Sequence, residues 1–585
     1  MSVELVYRDW LTQDYMDADL KKQLEEMTES QKEDAFYTDL EFGTAGMRGI
    51  IGPGTNRMNI YTIRKANVGF AKYILENVKN ATERGVAIAY DNRHFSAVFA
   101  IESAKVLATH GIKAYVFEGV RPTPELSFAV RYLGCAGGIV ITASHNPPAY
   151  NGYKIYDESG AQTLPTEADK VIQGVKAVKD VFAIAVKSED ELTAAGLIET
   201  IGSEIDDAYL SRVMGLEINP DINKQELQLV FSPLHGTAGE LISKLLTDCG
   251  YTGVHIVDGQ FSPNPNFPTV EYPNPEDPAA FAMARILGMQ VNADILLATD
   301  PDADRLGVAI KDITGEYSIS SVFRSDGEYV LLTGNQTGAI MIHYILSQRK
   351  AKGDLPAKGR VFDTIVSSEL AAKIAQSYGM DTMSTLTGFK FIGEQARLLE
   401  DTEYEYVFGY EESYGSLVGD FVRDKDALQA VLILAEMAAF YKERGKTLCD
   451  VLHDLYEEFG YYLEDLANIS LAGKVGAEKI QAILTDFRLA PPTEVAGLKV
   501  VKILDYQTSE CMDVNDQTTS KIDLPAANVL KYILEDGSWF VLRPSGTEPK
   551  AKIYISIVGD NQEEAAQRMS QIKKAILTRV DALVK

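Results

Sequence analysis

At 585 residues the chain is too long for a single hydrophobic core, and a soft prior of roughly 100–200 residues per domain predicts three to five domains. Its 46% hydrophobic and 24% charged content is that of an ordinary soluble globular protein, which excludes a disordered chain, and there is no long apolar span. A net charge of -28 argues against nucleic acid or an anionic membrane as partner, since both reward basic surfaces, and obliges any phosphate-binding cleft to gather Lys and Arg against an acidic shell.

Residues 1 to about 40 interleave charges with apolar residues at helical spacing and predict one or two surface helices. Met1 to Leu20 holds no apolar signal core, so a cytoplasmic location is expected. The four cysteines, Cys135, Cys249, Cys449 and Cys511, form no CxxC pair, which fits a reducing compartment. Glu41 to Gly49 then spaces Gly43, Gly46 and Gly49 by three, with Gly52 and Gly54 beyond. Such a loop lets backbone N–H groups approach an anion, and Arg48 adds a guanidinium suited to phosphate. From Ile60 to Leu133 helices alternate with strands: Val86–Tyr90 ends at Asp91-Asn-Arg93, and Ala114–Phe117 leads to Arg121-Pro-Thr-Pro124. That alternation predicts an α/β fold with a mixed or parallel sheet.

The apolar run Gly138 to Ile141 reads as a buried strand, which puts Thr142-Ala-Ser-His-Asn-Pro147 at its carboxyl end, where open α/β sheets bind ligands. Ser144 is a candidate nucleophile; serine needs a base, a cation or an attached phosphate to react, and His145 and Lys154 are near in sequence. An ordinary Ser-His-Asn turn ended by Pro147 is the alternative. Asn151-Gly-Tyr-Lys154 supplies a turn and then the lysine.

A second block, from about 205 to 322, holds strand Leu227–Phe231, ending at Ser232-Pro-Leu-His-Gly236, and strand Ile295–Ala298, ending at Thr299-Asp-Pro-Asp-Ala-Asp-Arg305. Asp300, Asp302 and Asp304 alternate, so a turning backbone can aim three carboxylates at one point. Two carboxylates about 4 Å apart repel by roughly 4 kcal/mol at an effective dielectric of 20, so a convergent trio calls for a cation, and oxygen ligands favour magnesium, manganese or calcium. An EF-hand is excluded by Arg305 and Lys311 at its glycine and closing-glutamate positions. A solvated acidic turn paired with Arg305, or a dehalogenase-type phosphatase with Asp300 as nucleophile, are the other readings.

A third block, about 323 to 425, places Ser367-Ser368 after strand Val361–Ile365, opens a helix at Thr387-Gly388-Phe-Lys390, and runs strand Tyr406–Phe408 into Gly409-Tyr-Glu-Glu-Ser413. Glu411 and Ser413 suit vicinal sugar hydroxyls, and Arg423 and Lys425 offer cations nearby. Gly445-Lys-Thr447 is not a Walker A loop, because Phe440 stands where glycine is required. Ala427 to Tyr441 predicts a buried helix, and residues 428 to about 488 are expected to be mainly helical. The last block predicts strands Val500–Leu504, Trp539–Leu542 and Lys552–Ile557 around Arg543-Pro-Ser-Gly-Thr-Glu-Pro549, whose bidentate cation, paired hydroxyls and permissive backbone compose a phosphate cradle.

Four motifs in this order, the serine loop with Asn151-Gly152 and Lys154, the aspartate loop Asp300 to Arg305, Glu411-x-Ser413, and Arg543 to Pro549, resemble the α-D-phosphohexomutase superfamily over nearly the whole chain. The longer phosphoglucomutase-like branch is the most similar, with Tyr410 standing where many members have glycine before the glutamate. The resemblance implies four domains around a central cleft: three related mixed α/β domains at 1–204, 205–322 and 323–450, and a smaller α+β domain at 451–585. It makes Ser144 the phosphoserine, with Arg48 and Lys154 beside it. Ser144 and the three aspartates would hold one Mg2+, with Thr387, Gly388, Lys390, Glu411, Ser413, Arg423, Lys425 and Arg305 around the sugar phosphate. Arg543, Ser545, Gly546 and Thr547 would hold the non-transferring phosphate. Two phosphate sites flanking a sugar loop imply transfer and return: glucose 1-phosphate and glucose 6-phosphate would interconvert through glucose 1,6-bisphosphate, in a monomer or homodimer. Pentose or mannose phosphates, a metal-dependent phosphatase, and a non-catalytic sugar-phosphate-binding relative are the alternatives.

Overall fold

The computed structural model describes residues 2–13, 16–43, 46–312, 329–471, 473–544 and 550–584. Its strands form four sheets, and the first three share a plan. In the first, Val86–Tyr90 is flanked in parallel by Ala114–Phe117 and Gly137–Ile141; Gly137–Ile141 then turns back as an antiparallel hairpin into Tyr150–Tyr156. In the second, Leu229–Ser232 lies parallel to Val254–Ile256 and Ile295–Thr299, and Ile295–Thr299 turns back into Leu306–Lys311. In the third, Gly359–Thr364 lies parallel to Asp381–Thr385 and Glu405–Glu411, and Glu405–Glu411 turns back into Gly415–Leu417. The serine, aspartate and glutamate loops are thus the same hairpin turn of three sheets, each at the carboxyl end of a buried parallel strand. The fourth sheet is antiparallel, and residues 545–549 join its strands Trp539–Pro544 and Lys550–Gly559.

Packing follows this plan. One apolar cluster runs from the first sheet (Ala87, Val140) through the second (Phe231, Leu297) to the third (Phe362, Phe408). The fourth sheet keeps a separate core, with Ile480, Phe487, Phe540 and Ile572. It docks on the third through Ile365, Val366 and Leu386 against Trp539, Val541 and Tyr554, and the Lys531 ammonium, 4.3 Å above the Trp539 ring, donates to the Ile365 carbonyl at 2.9 Å. Among the described residues no helix is long and apolar enough to cross a membrane.

Several local expectations change. The amino-terminal segment forms three helices, Val3–Leu11, Ala18–Glu25 and Glu29–Phe36, which bury their own cluster of Tyr7, Trp10, Leu24 and Phe36 against Tyr61. The glycine-rich stretch continues into strand Met47–Ile50, antiparallel to Tyr150–Tyr156, so Asn151 to Lys154 is strand and not turn. Gly46, at φ +89°, and Gly152 serve this pairing: a Cβ on Gly46 would fall on the Tyr153 carbonyl oxygen, and one on Gly152 on that of Thr142. In the segment expected to be mainly helical, Tyr461–Ser470 is a strand paired over ten positions with Lys550–Gly559. Its Leu, Glu and Ala favour helix locally, and tertiary pairing overrides that preference. The edge strand Tyr329–Leu331 carries the second sheet past the border expected at 322.

The third sheet also carries a pH response. Asp363, 4% exposed, has its proton affinity pushed up to about 7 by burial, against a hydrogen bond from Ser384. An acid raised on folding stabilises below its unfolded value of about 4 and loses that contribution as pH rises through its folded value. The thermal midpoint is therefore expected to fall between about pH 5 and pH 8, and Asp363→Asn to shrink the fall. Equal falls in both proteins would remove Asp363 as a source.

Candidate active site

The serine, aspartate and glutamate loops, together with Arg543, Lys552 and Tyr554 of the fourth sheet, line one cleft of about 670 Å³. Ser144 is 3% exposed and sits at φ +52°, a conformation costly for a non-glycine residue. Thr142 Oγ1 accepts its N–H at 2.8 Å, and the guanidinium of Arg93 donates to the carbonyls of Ser144, Asn146, Pro147 and Tyr150. The hydroxyl lies 2.7 Å from Asp300 Oδ2 and 3.1 Å from His145 Nδ1. A hydroxyl has one proton; with it on Asp300, His145 is the donor to Oγ. Burial, with Arg305 and Arg48 nearby, holds the His145 imidazole well below its usual range, so it is neutral at pH 7.

The aspartates are buried, with one carboxylate oxygen of each within 4.8 Å of the others. Asp300 Oδ1 accepts the N–H groups of Asp304 and Arg305 at 3.1 and 3.0 Å. Lys154 reaches Asp302 Oδ2 at 3.0 Å and Asp304 Oδ2 at 3.4 Å, and Lys425 reaches Asp304 Oδ2 at 3.0 Å. Asp302 Oδ1 and Asp304 Oδ1 stay buried without a hydrogen-bond partner. Burial first, and then the charges of Asp302 and Asp304, push Asp300 well above the carboxylate range. Two orphaned oxygens and a carboxyl driven to keep its proton mark a site short of positive charge, and an all-oxygen donor set fits a hard divalent cation such as magnesium. Burial alone would lower Lys154, but Asp302 and Asp304 outweigh it and keep the ammonium charged.

Arg48, on Met47–Ile50, donates to Asn146 Oδ1 at 2.9 Å and lines the cleft beside Ser144. Arg305 is held by Glu276 Oε1 at 2.5 Å. Thr387, Gly388, Glu411, Ser413 and Lys425 form the next part of the wall. Glu411 is anchored, its Oε1 accepting the Gly388 N–H at 2.7 Å. Lys390 is 8% exposed, and burial together with Arg543 brings its ammonium down to about 8. Arg543 lines the far wall opposite Lys552 in register, with Tyr554 beside them. Ser545, Gly546 and Thr547 lie outside the described residues.

Arg423 is not brought to the cleft. It is fully buried, ion-paired with Glu400 and 3.7 Å from Asp420, while its neighbour Lys425 faces the aspartates. Sequence reasoning missed Arg93, Asn146, Glu276, Glu464, Lys552 and Tyr554. Asp91-x-Arg93 at a strand end and the serine loop that contains Asn146 were the local signals among them. Lys552 and Tyr554 follow from the hairpin register, which a single sequence does not display. The gathered cations are present, but Arg48, Lys154, Arg305, Lys425, Arg543 and Lys552 face Glu276, Asp304, Glu411, Glu412, Glu464 and Asp465. The lining thus sets six cations against six carboxylates, with Asp300 and Asp302 behind them, and burial raises Glu412 and Glu464 to about 7, which trims the negative side at neutral pH.

Profiles of the phosphoglucomutase/phosphomannomutase family match in chain order: α/β/α domain I at residues 39–181, domain II at 207–315, domain III at 333–459 and the C-terminal domain at 480–575. A phosphoglucomutase of Staphylococcus aureus (strain MRSA252) is 38% identical over 554 residues, 95% of this chain and 96% of that one. A putative phosphomannomutase from Thermus thermophilus shares the fold with a TM-score of 0.67 at 22% identity, over 93% of this chain and 99% of its own. Paramecium pp63/parafusin, a phosphoglucomutase in an open form, does so at 0.65 and 19% identity, over 93% and 95%. With four sheets in the matching order and one cleft lined by residues of each, this chain belongs to the phosphoglucomutase/phosphomannomutase family.

Proposed function

We propose that the protein is a phosphoglucomutase that interconverts glucose 1-phosphate and glucose 6-phosphate through phospho-Ser144 and a glucose 1,6-bisphosphate that turns round in the cleft. The observation that carries the reading is the Ser144 hydroxyl set between Asp300 and His145 in the same cleft as Glu411, Ser413 and Arg543. One wall offers a group to be phosphorylated, the middle offers sugar-hydroxyl partners, and the far wall offers a guanidinium for a second phosphate.

In the first half-reaction the P–Oγ bond of phospho-Ser144 breaks as a bond forms between phosphorus and the O6 hydroxyl oxygen, and the hydroxyl proton ends on Oγ. After reorientation the C1 phosphoryl group moves to Oγ and the proton returns to the sugar, so no phosphate is lost. Asp300, Asp302 and Asp304, with an oxygen on Ser144, would hold one Mg2+, which supplies charge neutralisation on the transferring group. Lys154 and Arg48 stabilise charge at the serine side, and Arg305 and Lys425 complete that wall. Thr387, Gly388, Glu411 and Ser413 orient the sugar. Arg543, with Lys390 behind it and residues 545–547, binds the phosphate that does not transfer. Lys552 joins them from the next strand. Glucose 1,6-bisphosphate would also prime the enzyme by phosphorylating Ser144. Four unpaired cysteines support a cytoplasmic location.

The test is turnover of glucose 1-phosphate with magnesium and a trace of glucose 1,6-bisphosphate, beside mannose 1-phosphate and ribose 1-phosphate with their own bisphosphates. Glucose 6-phosphate without free phosphate, fastest from glucose and abolished by chelation of the metal, is the expected result. Free phosphate as the product would overturn the mutase, and faster mannose or ribose turnover would overturn the glucose assignment.

A further inference from the structure

The serine and the aspartates that must meet belong to different sheets, so something has to register one against the other. Helix Thr123–Tyr132 of the first domain begins at that seam. The first N–H groups of a helix have no partner within it, and Pro122 and Pro124 on either side have none to offer. The Thr123 N–H crosses to the second domain and donates to the Asp302 carbonyl at 2.8 Å. Its hydroxyl donates to Asp302 Oδ2 at 2.9 Å, and the residue is wholly buried. Arg121, two residues earlier, braces the same seam through Asp206, with bonds of 2.7 and 2.9 Å.

Lys154, also from the first domain, donates to the same Oδ2 at 3.0 Å. Two donors from one domain thus occupy one oxygen of Asp302, and the other, Oδ1, is left buried with no partner. A carboxylate free to rotate about its terminal bond presents either oxygen; one clamped at Oδ2 presents Oδ1 alone. Outer partners of this kind set the orientation of a metal ligand.

We propose that Thr123 is a positioning residue for the cation site: its main-chain and hydroxyl bonds fix Asp302 so that Oδ1 points to the metal, and through Asp302 the first domain sets the metal loop in register with Ser144. The inference rests on the metal reading of the aspartates given above. Lys154 alone would bear on Oδ2 without the second point of fixation on the Asp302 main chain.

The experiment is a Mn2+ titration followed by electron paramagnetic resonance, without sugar phosphate, on the full-length protein and its Thr123→Val, Thr123→Ala, Thr123→Ser and Asp302→Asn variants. Thr123→Val keeps the main-chain bond and the volume and replaces only the hydroxyl, whereas Thr123→Ala removes the γ-methyl group as well. The expected result is a Kd raised roughly tenfold in Thr123→Val and Thr123→Ala, at the low end of what outer-partner loss costs, and within about twofold of the parent in Thr123→Ser. The thermal midpoint of Thr123→Val should stay near that of the parent while its Mn2+ affinity falls, which separates a positioning effect from unfolding. Parent-like Mn2+ affinity in the alanine variant, or the same loss in Thr123→Ser, overturns the role of the hydroxyl while leaving the metal site standing. Absence of a saturable site in the parent, or no loss in Asp302→Asn, overturns the metal reading itself and this inference with it.

Discussion

Ser144→Ala is expected to lower kcat for glucose 1-phosphate by on the order of 10^4-fold or more, as removal of a covalent group from a catalytic unit does. The hydroxyl is placed within hydrogen-bond reach of both Asp300 and His145, at 2.7 and 3.1 Å, and the backbone around it is locked at φ +52°. Sugar-phosphate affinity should change little, because the Glu411 and Arg543 walls are untouched. Intact mass after incubation with glucose 1,6-bisphosphate provides the check: the parent gains one phosphoryl group and the variant does not. A phosphatase that used Asp300 as nucleophile would survive this substitution and release phosphate. The geometry argues against that chemistry, since Asp300 Oδ1 already accepts two main-chain N–H groups and Oδ2 accepts the serine hydroxyl. Undiminished turnover in Ser144→Ala would end the phosphoserine mechanism.

Arg93→Met is expected to cost about 3–5 kcal/mol of stability, the usual consequence of removing one partner from a buried ion pair. Arg93 is 3% exposed, stacked 5.0 Å from the Phe267 ring, and ion-paired with Asp91 at 3.3 Å while it donates to four carbonyls of the serine loop. Burial pulls both charges toward neutrality, lowering Arg93 and raising Asp91, and the four acceptors, with the bonds to Asp91 from Ser96 Oγ and the Arg93 N–H, oppose that pull. Methionine fills the volume and leaves Asp91 and those carbonyls without their donor. Equilibrium urea unfolding measures the loss. Arg93→Lys should recover only part of it, because an ammonium cannot reach all the acceptors that a planar guanidinium does. A loss below about 1 kcal/mol in Arg93→Met would show that the loop holds its shape without this residue.

The places of the serine, aspartate and glutamate loops at strand ends were legible in the chain because the patterns that mark them are local. An apolar run followed by a serine, three alternating aspartates, a Glu-x-Ser or an Arg-x-Ser-Gly-Thr is a short pattern, and the strands before the first two, Gly137–Ile141 and Ile295–Thr299, appear where the apolar runs predict them. The helix predicted at Ala427 to Tyr441 is observed as Ala427–Lys442 for the same reason. Where local preference and tertiary pairing disagree, pairing prevails: Tyr461–Ser470 is a strand, and Asn151 to Lys154 runs along one.

Composition and pattern alone were enough for several domains, α/β layering, four motifs in the family's order and an acidic protein in need of an internal cation cluster. Only the folded chain could decide which of two neighbouring cations, Arg423 or Lys425, turns to the aspartates, because that depends on Glu400 and Asp420 taking the arginine on the other side of the backbone. It also decided that Thr123 and Asp302, 179 positions apart, share hydrogen bonds. The physical reason is range: a motif specifies which groups can react, whereas the oxygen left unpaired, the proton that is kept and the side chain that faces the cleft depend on partners contributed by distant segments.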